Sequence, residues 1–154
     1  MRRLNRALLR KLLGLSPAAW AELCSAQIAL VHAQLLIWTR PRGALLVASP
    51  APAPAVEMRD GGIAPEVARL ALAVERAAEH GLFRPKCLAQ AVALQRMLTS
   101  RGFAGSSVRV GIRLGQGRFL AHAWVEYRGT VLADRAWRVS KFDELARMDL
   151  IQRS

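Results

Sequence analysis

The repeat of apolar residues in this chain changes its period at Gly102, and that change limits the folds open to it. Up to Leu98 apolar residues recur at helical spacing. Beyond Gly102 the runs SVRVGIRL, FLAHAWVEY and TVLAD read as strands. PEVARLALAVERAAEH (Pro65 to His80) opens on a proline, carries Glu66 in its first turn and is followed by Gly81, the marks of a complete helix. In the next helix Cys87, Ala91, Leu94 and Leu98 fall on one face at i, i+4, i+7 and i+11. The GQGR segment and a short Arg128-Gly129 turn separate the three strands, which predicts a three-stranded antiparallel meander. Ser140, with Asp143 three residues on, predicts a capped final helix over KFDELARM. Helices first and strands afterwards make the expected class α+β.

Ahead of this region the chain divides by composition. Residues 1–15 hold five bases and no acid, with Leu4, Leu8, Leu12 and Leu15 at helical spacing: a basic amphipathic helix, packed on its own domain or on a membrane surface or partner. Ser16 and Pro17 then start a second helix, AAWAELCSAQIALVHAQLLIW. Glu22, Ser25, Gln27, His32 and Gln34 interrupt it too often for a bilayer span, and it is too long and polar for a signal peptide. It reads as a buried or interface helix, with Cys24 and His32 as packing residues. Pro41, Pro50, Pro52 and Pro54 with Gly43 break the pattern. The expected organisation is an N-terminal helical segment over 1–48, a Pro/Ala linker over 49–56 and a core over 57–154.

The whole chain of 154 residues carries 23 Lys+Arg against 11 Asp+Glu, a net charge of +12, and is 53% hydrophobic. That apolar content excludes a disordered basic tail. Cys24 and Cys87 are too few for a disulfide scaffold, and with three dispersed histidines they make no convincing metal site. Arginine-rich composition raises nucleic-acid binding, but no helix-turn-helix or RRM pattern is present. Trp20, Trp38, Trp124 and Trp137 form no aromatic platform interleaved with bases.

Three residues carry chemistry when taken together. Cys87 opens a helix, where unpaired N–H groups and the positive end of the dipole favour a thiolate. His122, inside an apolar strand, can take the thiol proton and deliver it to a leaving amine. Asp134, closing the next strand, can fix the imidazole's tautomer. Each also has an ordinary explanation: a core cysteine, a satisfied core histidine, a carboxylate ending a strand. Alternation makes a geometric demand. A strict two-residue turn at Arg128-Gly129 puts His122 opposite Arg135, and His122 and Asp134 on opposite faces. The triad then needs an odd loop, with Glu126 opposite Thr130, or a β-bulge.

Arg84-Pro85-Lys86-Cys87-Leu88, then ALQRMLTSRGF, VRVGIRL, Ala121-His122-Ala123-Trp124-Val125-Glu126 and Gly129-x-Val131-Leu132-x-Asp134 resemble the lasso-peptide B2 protein family. These are transglutaminase-like (papain-like) cysteine peptidases, and the resemblance runs from about Val67 to Asp134. It implies a core with a Cys-bearing helix on a short antiparallel sheet, and no cofactor. The implied activity is removal of the leader from a ribosomally made precursor peptide. Cys87 matches the nucleophile, His122 the general base and acid, and Asp134 the orienting carboxylate. No glutamine precedes Cys87 where papain-like enzymes place an oxyanion donor; the nearest, Gln90, lies inside the helix. With no strand-rich segment before the Cys core, the chain resembles the stand-alone form. That form implies a separate leader-recognition partner (B1 type) and a lasso cyclase similar to asparagine synthetase, in the cytoplasm, with peripheral membrane contact as a companion idea. The competing readings are acyl transfer or amide hydrolysis on the same scaffold, and a non-enzymatic basic module that binds peptide or membrane.

Overall fold

The computed structural model describes residues 14, 16–39, 63–115 and 117–148. The basic amphipathic segment over 1–15, apart from Gly14, and the 49–56 linker therefore lie outside the described residues. Helices α1 (Pro17–Thr39), α2 (Pro65–His80) and α3 (Cys87–Ser100) precede strands β1 (Ser106–Gly115), β2 (Arg118–Tyr127) and β3 (Thr130–Leu132). A one-turn helix, α4 (Ala136–Val139), and strand β4 (Asp143–Met148) follow. The arrangement is α+β, as the change of period predicts.

The sheet has the order β3-β2-β1-β4 and every neighbouring pair is antiparallel. It therefore has one strand more than the meander. The segment expected as a capped helix over KFDELARM is β4, and Ser140 ends α4 instead of starting a helix. The physical reason is the outer edge of β1. β2 covers one side of that strand, and residues 108–112 would otherwise leave their other backbone groups unpaired. Asp143–Met148 supplies the missing partner, with a register shift between Val110 and Gly111.

α3 covers one face of the sheet, and α1 and α2 pack on α3. Val108, Ala123, Val125, Tyr127 and Leu132 meet Ala91, Leu94 and Leu98 of α3 in a single buried cluster that also takes in Val67, Leu70 and Val74 of α2. Each fully buried Leu or Val contributes roughly 1.5–3 kcal/mol. α3 stops in a Schellman turn. Phe103 N–H donates to the Leu98 carbonyl and Gly102 N–H to that of Thr99, with Gly102 at φ +80, a conformation that favours glycine.

α1 packs against both α2 and α3, placing Ala26, Leu30 and Ala33 in the same cluster. On that side Glu22 pairs with Arg69, and Gln27 Oε1 accepts the Leu82 N–H at 3.4 Å while its Nε2 is buried without a partner. Cys24 and His32 are exposed, not packed, which corrects the sequence expectation. At 100° per residue both lie away from the Ala26–Leu30–Ala33 stripe. Ile28, Leu35 and Trp38 are exposed as well, and by length and composition alone α1 is long and apolar enough to cross a membrane.

Candidate active site

The residues around His122 form a second, smaller cluster on the sheet face turned away from the helices. Pairing places Gly111 beside His122 and Arg109 beside Trp124, and residues directly opposite one another share a face. Trp124 lies almost parallel to the imidazole, with ring centroids 6.2 Å apart at 25°. Phe142 tilts against it at 5.2 Å. Gly111 is obligatory in this packing, because a Cβ there would sit 2.9 Å from both the Phe142 Cβ and the Trp124 ring. His122 is consequently 8% exposed, held in one orientation by two rings.

Asp134 completes that orientation. Its Oδ2 lies 2.5 Å from His122 Nε2, and its Oδ1 accepts the Arg135 N–H at 2.7 Å. The route by which the carboxylate arrives differs from both routes the alternation argument allowed. Tyr127 stands opposite Thr130 and Glu126 opposite Val131, so the turn is a strict two-residue one. Arg128 and Gly129 both have positive φ, at 48° and 80°, as a primed hairpin turn requires. Had β3 continued, Asp134 would face the helices. The ladder instead stops at Leu132, and Ala133 adopts φ +54, which swings the next side chain onto the His122 face. One left-handed residue does the work expected of a bulge.

Cys87 is the first residue of α3 and is half-buried against the helical core. The Lys86 carbonyl accepts the first helical bond, from Gln90 N–H, so the Cys87 N–H has no partner within the helix. Gln90 Nε2 donates to the Pro85 carbonyl at 2.9 Å and so fixes the turn that leads into the thiol. α3 packs on β2, the strand of His122. The structure thus brings His122 and Asp134 together. Among the described residues Cys87 makes no hydrogen bond to either.

Two buried polar residues were not singled out from sequence. Arg109 bridges three strands, with Nη2 3.1 Å from Glu126 Oε1 and Nη1 against Glu144 Oε1. Gln95, 4% exposed on α3, donates to the Ser106 carbonyl at 3.0 Å and ties that helix to the start of β1. An arginine amid alternating apolar residues was the available signal for the first; the second had none. The described residues hold no group of three His, Cys, Asp or Glu side chains able to bind a metal.

His122, with Arg113, Leu120, Ala121, Trp137, Arg138, Lys141 and Phe142, borders an open cleft of about 350 Å³. A buried imidazole with one nitrogen held by a carboxylate presents its other nitrogen, Nδ1, for proton transfer. That is the chemistry of a general base serving a nucleophile.

Comparison with known proteins agrees with this arrangement. A search of curated proteins and a search of solved structures find no significant match. The family whose pattern fits the chain, the transglutaminase-like superfamily, is matched over residues 26–147, from within α1 to within β4, so α2, α3, β1, β2 and β3 fall wholly inside it. With most of its length so matched, this chain belongs to the transglutaminase-like superfamily, whose members are typically cysteine-type catalytic domains.

Proposed function

We propose that this chain is a cysteine peptidase that removes the leader of a lasso-peptide precursor. The observation that carries the catalytic part is the buried His122–Asp134 pair, on a sheet packed beneath a helix that begins with Cys87. The leader-peptidase part rests on the sequence resemblance around Cys87 and His122.

In this mechanism Nδ1 of His122 takes the Cys87 thiol proton, and the sulfur attacks the scissile carbonyl carbon. The carbonyl π electrons move to oxygen, and the Cys87 backbone N–H is positioned to donate to that oxyanion. The tetrahedral intermediate collapses with cleavage of the C–N bond, and the imidazolium delivers its proton to the departing amine. Water, deprotonated by the same imidazole, then hydrolyses the thioester and restores the thiol. Asp134 keeps its oxygen on Nε2 throughout and stabilises the imidazolium. Cys87 lies on the helix side of the sheet and His122 on the other, so this step requires that substrate binding bring the start of α3 and the imidazole within hydrogen-bond reach across β2. A separate leader-recognition protein presents the precursor, and a cyclase takes up the freed α-amine.

The test uses Cys24→Ala as background, so that Cys87 is the remaining thiol. Incubated with the precursor and its recognition protein, this background should cleave, and Cys87→Ala and His122→Ala should both lose cleavage. Full cleavage by Cys87→Ala would overturn the peptidase reading. Iodoacetamide should alkylate Cys87 at least tenfold more slowly once His122 is alanine. An unchanged rate would show that His122 does not activate this thiol.

A further inference from the structure

The cleft that holds His122 is also the place where the chain gathers cations without counter-charges. Arg113, Arg138 and Lys141 line it, and an adjoining hollow shares Arg113 and Leu120 and adds Arg118. Among the described residues none of these four bases is paired with a carboxylate. The nearby acids are otherwise engaged: Asp134 holds His122, and Glu144 pairs with Arg109. Asp143 stands opposite Ile112, on the other sheet face from Arg113.

Two of the four cations are held in place by aromatic rings. The Arg113 guanidinium lies 5.2 Å from the centre of the Phe142 ring, and Lys141 Nζ 4.8 Å from that of Trp137. Ring contacts of this kind hold a cation's position and leave its N–H donors available. Arg113 Nε is buried and has no hydrogen-bond partner. Phe142 also packs on His122, so the same ring links this wall to the imidazole.

We propose that this cleft is an anion subsite for aspartate or glutamate side chains flanking the scissile amide, which makes the preferred substrate an acidic peptide. The proposal rests on the peptidase reading for the position of the amide beside His122. The ligand chemistry itself comes from the unpaired cations. Carboxylates match the guanidinium fork of Arg113 in two parallel bonds, and Arg138 and Lys141 add attraction from the exposed rim.

Binding can be tested apart from catalysis. The full chain carrying Cys87→Ala is titrated into fluorescein-labelled Ala-Glu-Ala-Glu-Ala-Glu and into its Gln counterpart at physiological salt, with anisotropy as the readout. The acidic probe should bind about tenfold more tightly. Arg138→Gln and Lys141→Gln, both at exposed positions, should each weaken it by about threefold, and Arg113→Gln by about tenfold. The controls Arg76→Gln and Arg96→Gln, exposed on α2 and α3, should change it less than twofold. Equal affinity for the two probes overturns the subsite. So does equal weakening by the cleft and control substitutions, since that marks unspecific attraction to a +12 surface. Failure here leaves the Cys87 test standing, and loss of the Cys87 test leaves this binding result to be judged by itself.

Discussion

At Asp134 two tasks meet in one carboxylate, which orients the imidazole through Oδ2 and holds the chain turn through Oδ1. Asp134→Asn keeps the size and one oxygen while reversing the donor pattern toward Nε2. We expect it to fold and to lose roughly two to four orders of magnitude in kcat with KM little changed, read from steady-state cleavage beside a thermal melt. Ala133 deserves equal weight at this scale. Its φ of +54 carries Asp134 across the sheet, and a β-branched side chain tolerates that region poorly. Ala133→Val should therefore lower both stability and activity, whereas Ala133→Gly should be neutral or slightly stabilising. Matching losses in the two variants would mean that the methyl group, not the backbone angle, is what matters. Nothing in the alternation of TVLAD foretold this residue, because a single left-handed step leaves no periodic trace.

Among the elements, β4 shows how an edge recruits its partner. Local capping signals in Ser140 to Asp143 favour a helix, yet the pairing available on β1 outweighs them. Arg109 then adds a side-chain tie from the middle of the sheet to Glu144. Glu144 is nearly half exposed and Glu126 less so, which weakens these pairs relative to fully buried ones. Arg109→Met should accordingly cost about 2–3 kcal/mol in urea unfolding, below the 3–5 typical of a broken buried pair. A loss under 0.5 kcal/mol would mean that backbone pairing alone holds β4. Gly111→Ala probes the same layer from inside. Its Cβ must displace Phe142 or Trp124, at a cost of about 1–3 kcal/mol, and the His122 packing with them. Cleavage should fall by more than the unfolded fraction accounts for.

At the scale of the whole molecule, α1 shares the main buried cluster with α2, α3 and the sheet, although the proline-rich break separates it from them in sequence. Leu30→Ala in α1 and Leu98→Ala in α3 should each cost about 2–5 kcal/mol, and both proteins should unfold in a single transition. An early separate transition in Leu30→Ala would instead make α1 an independently melting piece. Ile28→Ser, on the exposed side, should stay within about 0.5 kcal/mol of the parent. The sequence by itself determined the α+β class, because helical and alternating periods are local properties that burial of one face imposes. It also offered Cys87, His122 and Asp134 as candidates from residue type and element position, and of these the structure joins His122 and Asp134. The tertiary structure alone decided where β4 belongs, which side of α1 is covered, and how Asp134 reaches His122. Those depend on contacts between residues far apart in the chain, or on one backbone angle, and neither is written in a local pattern. The placement of part of the +12 charge was decided in the same way, for folding set Arg113, Arg138 and Lys141 along the His122 cleft, where among the described residues none of the three pairs with a carboxylate.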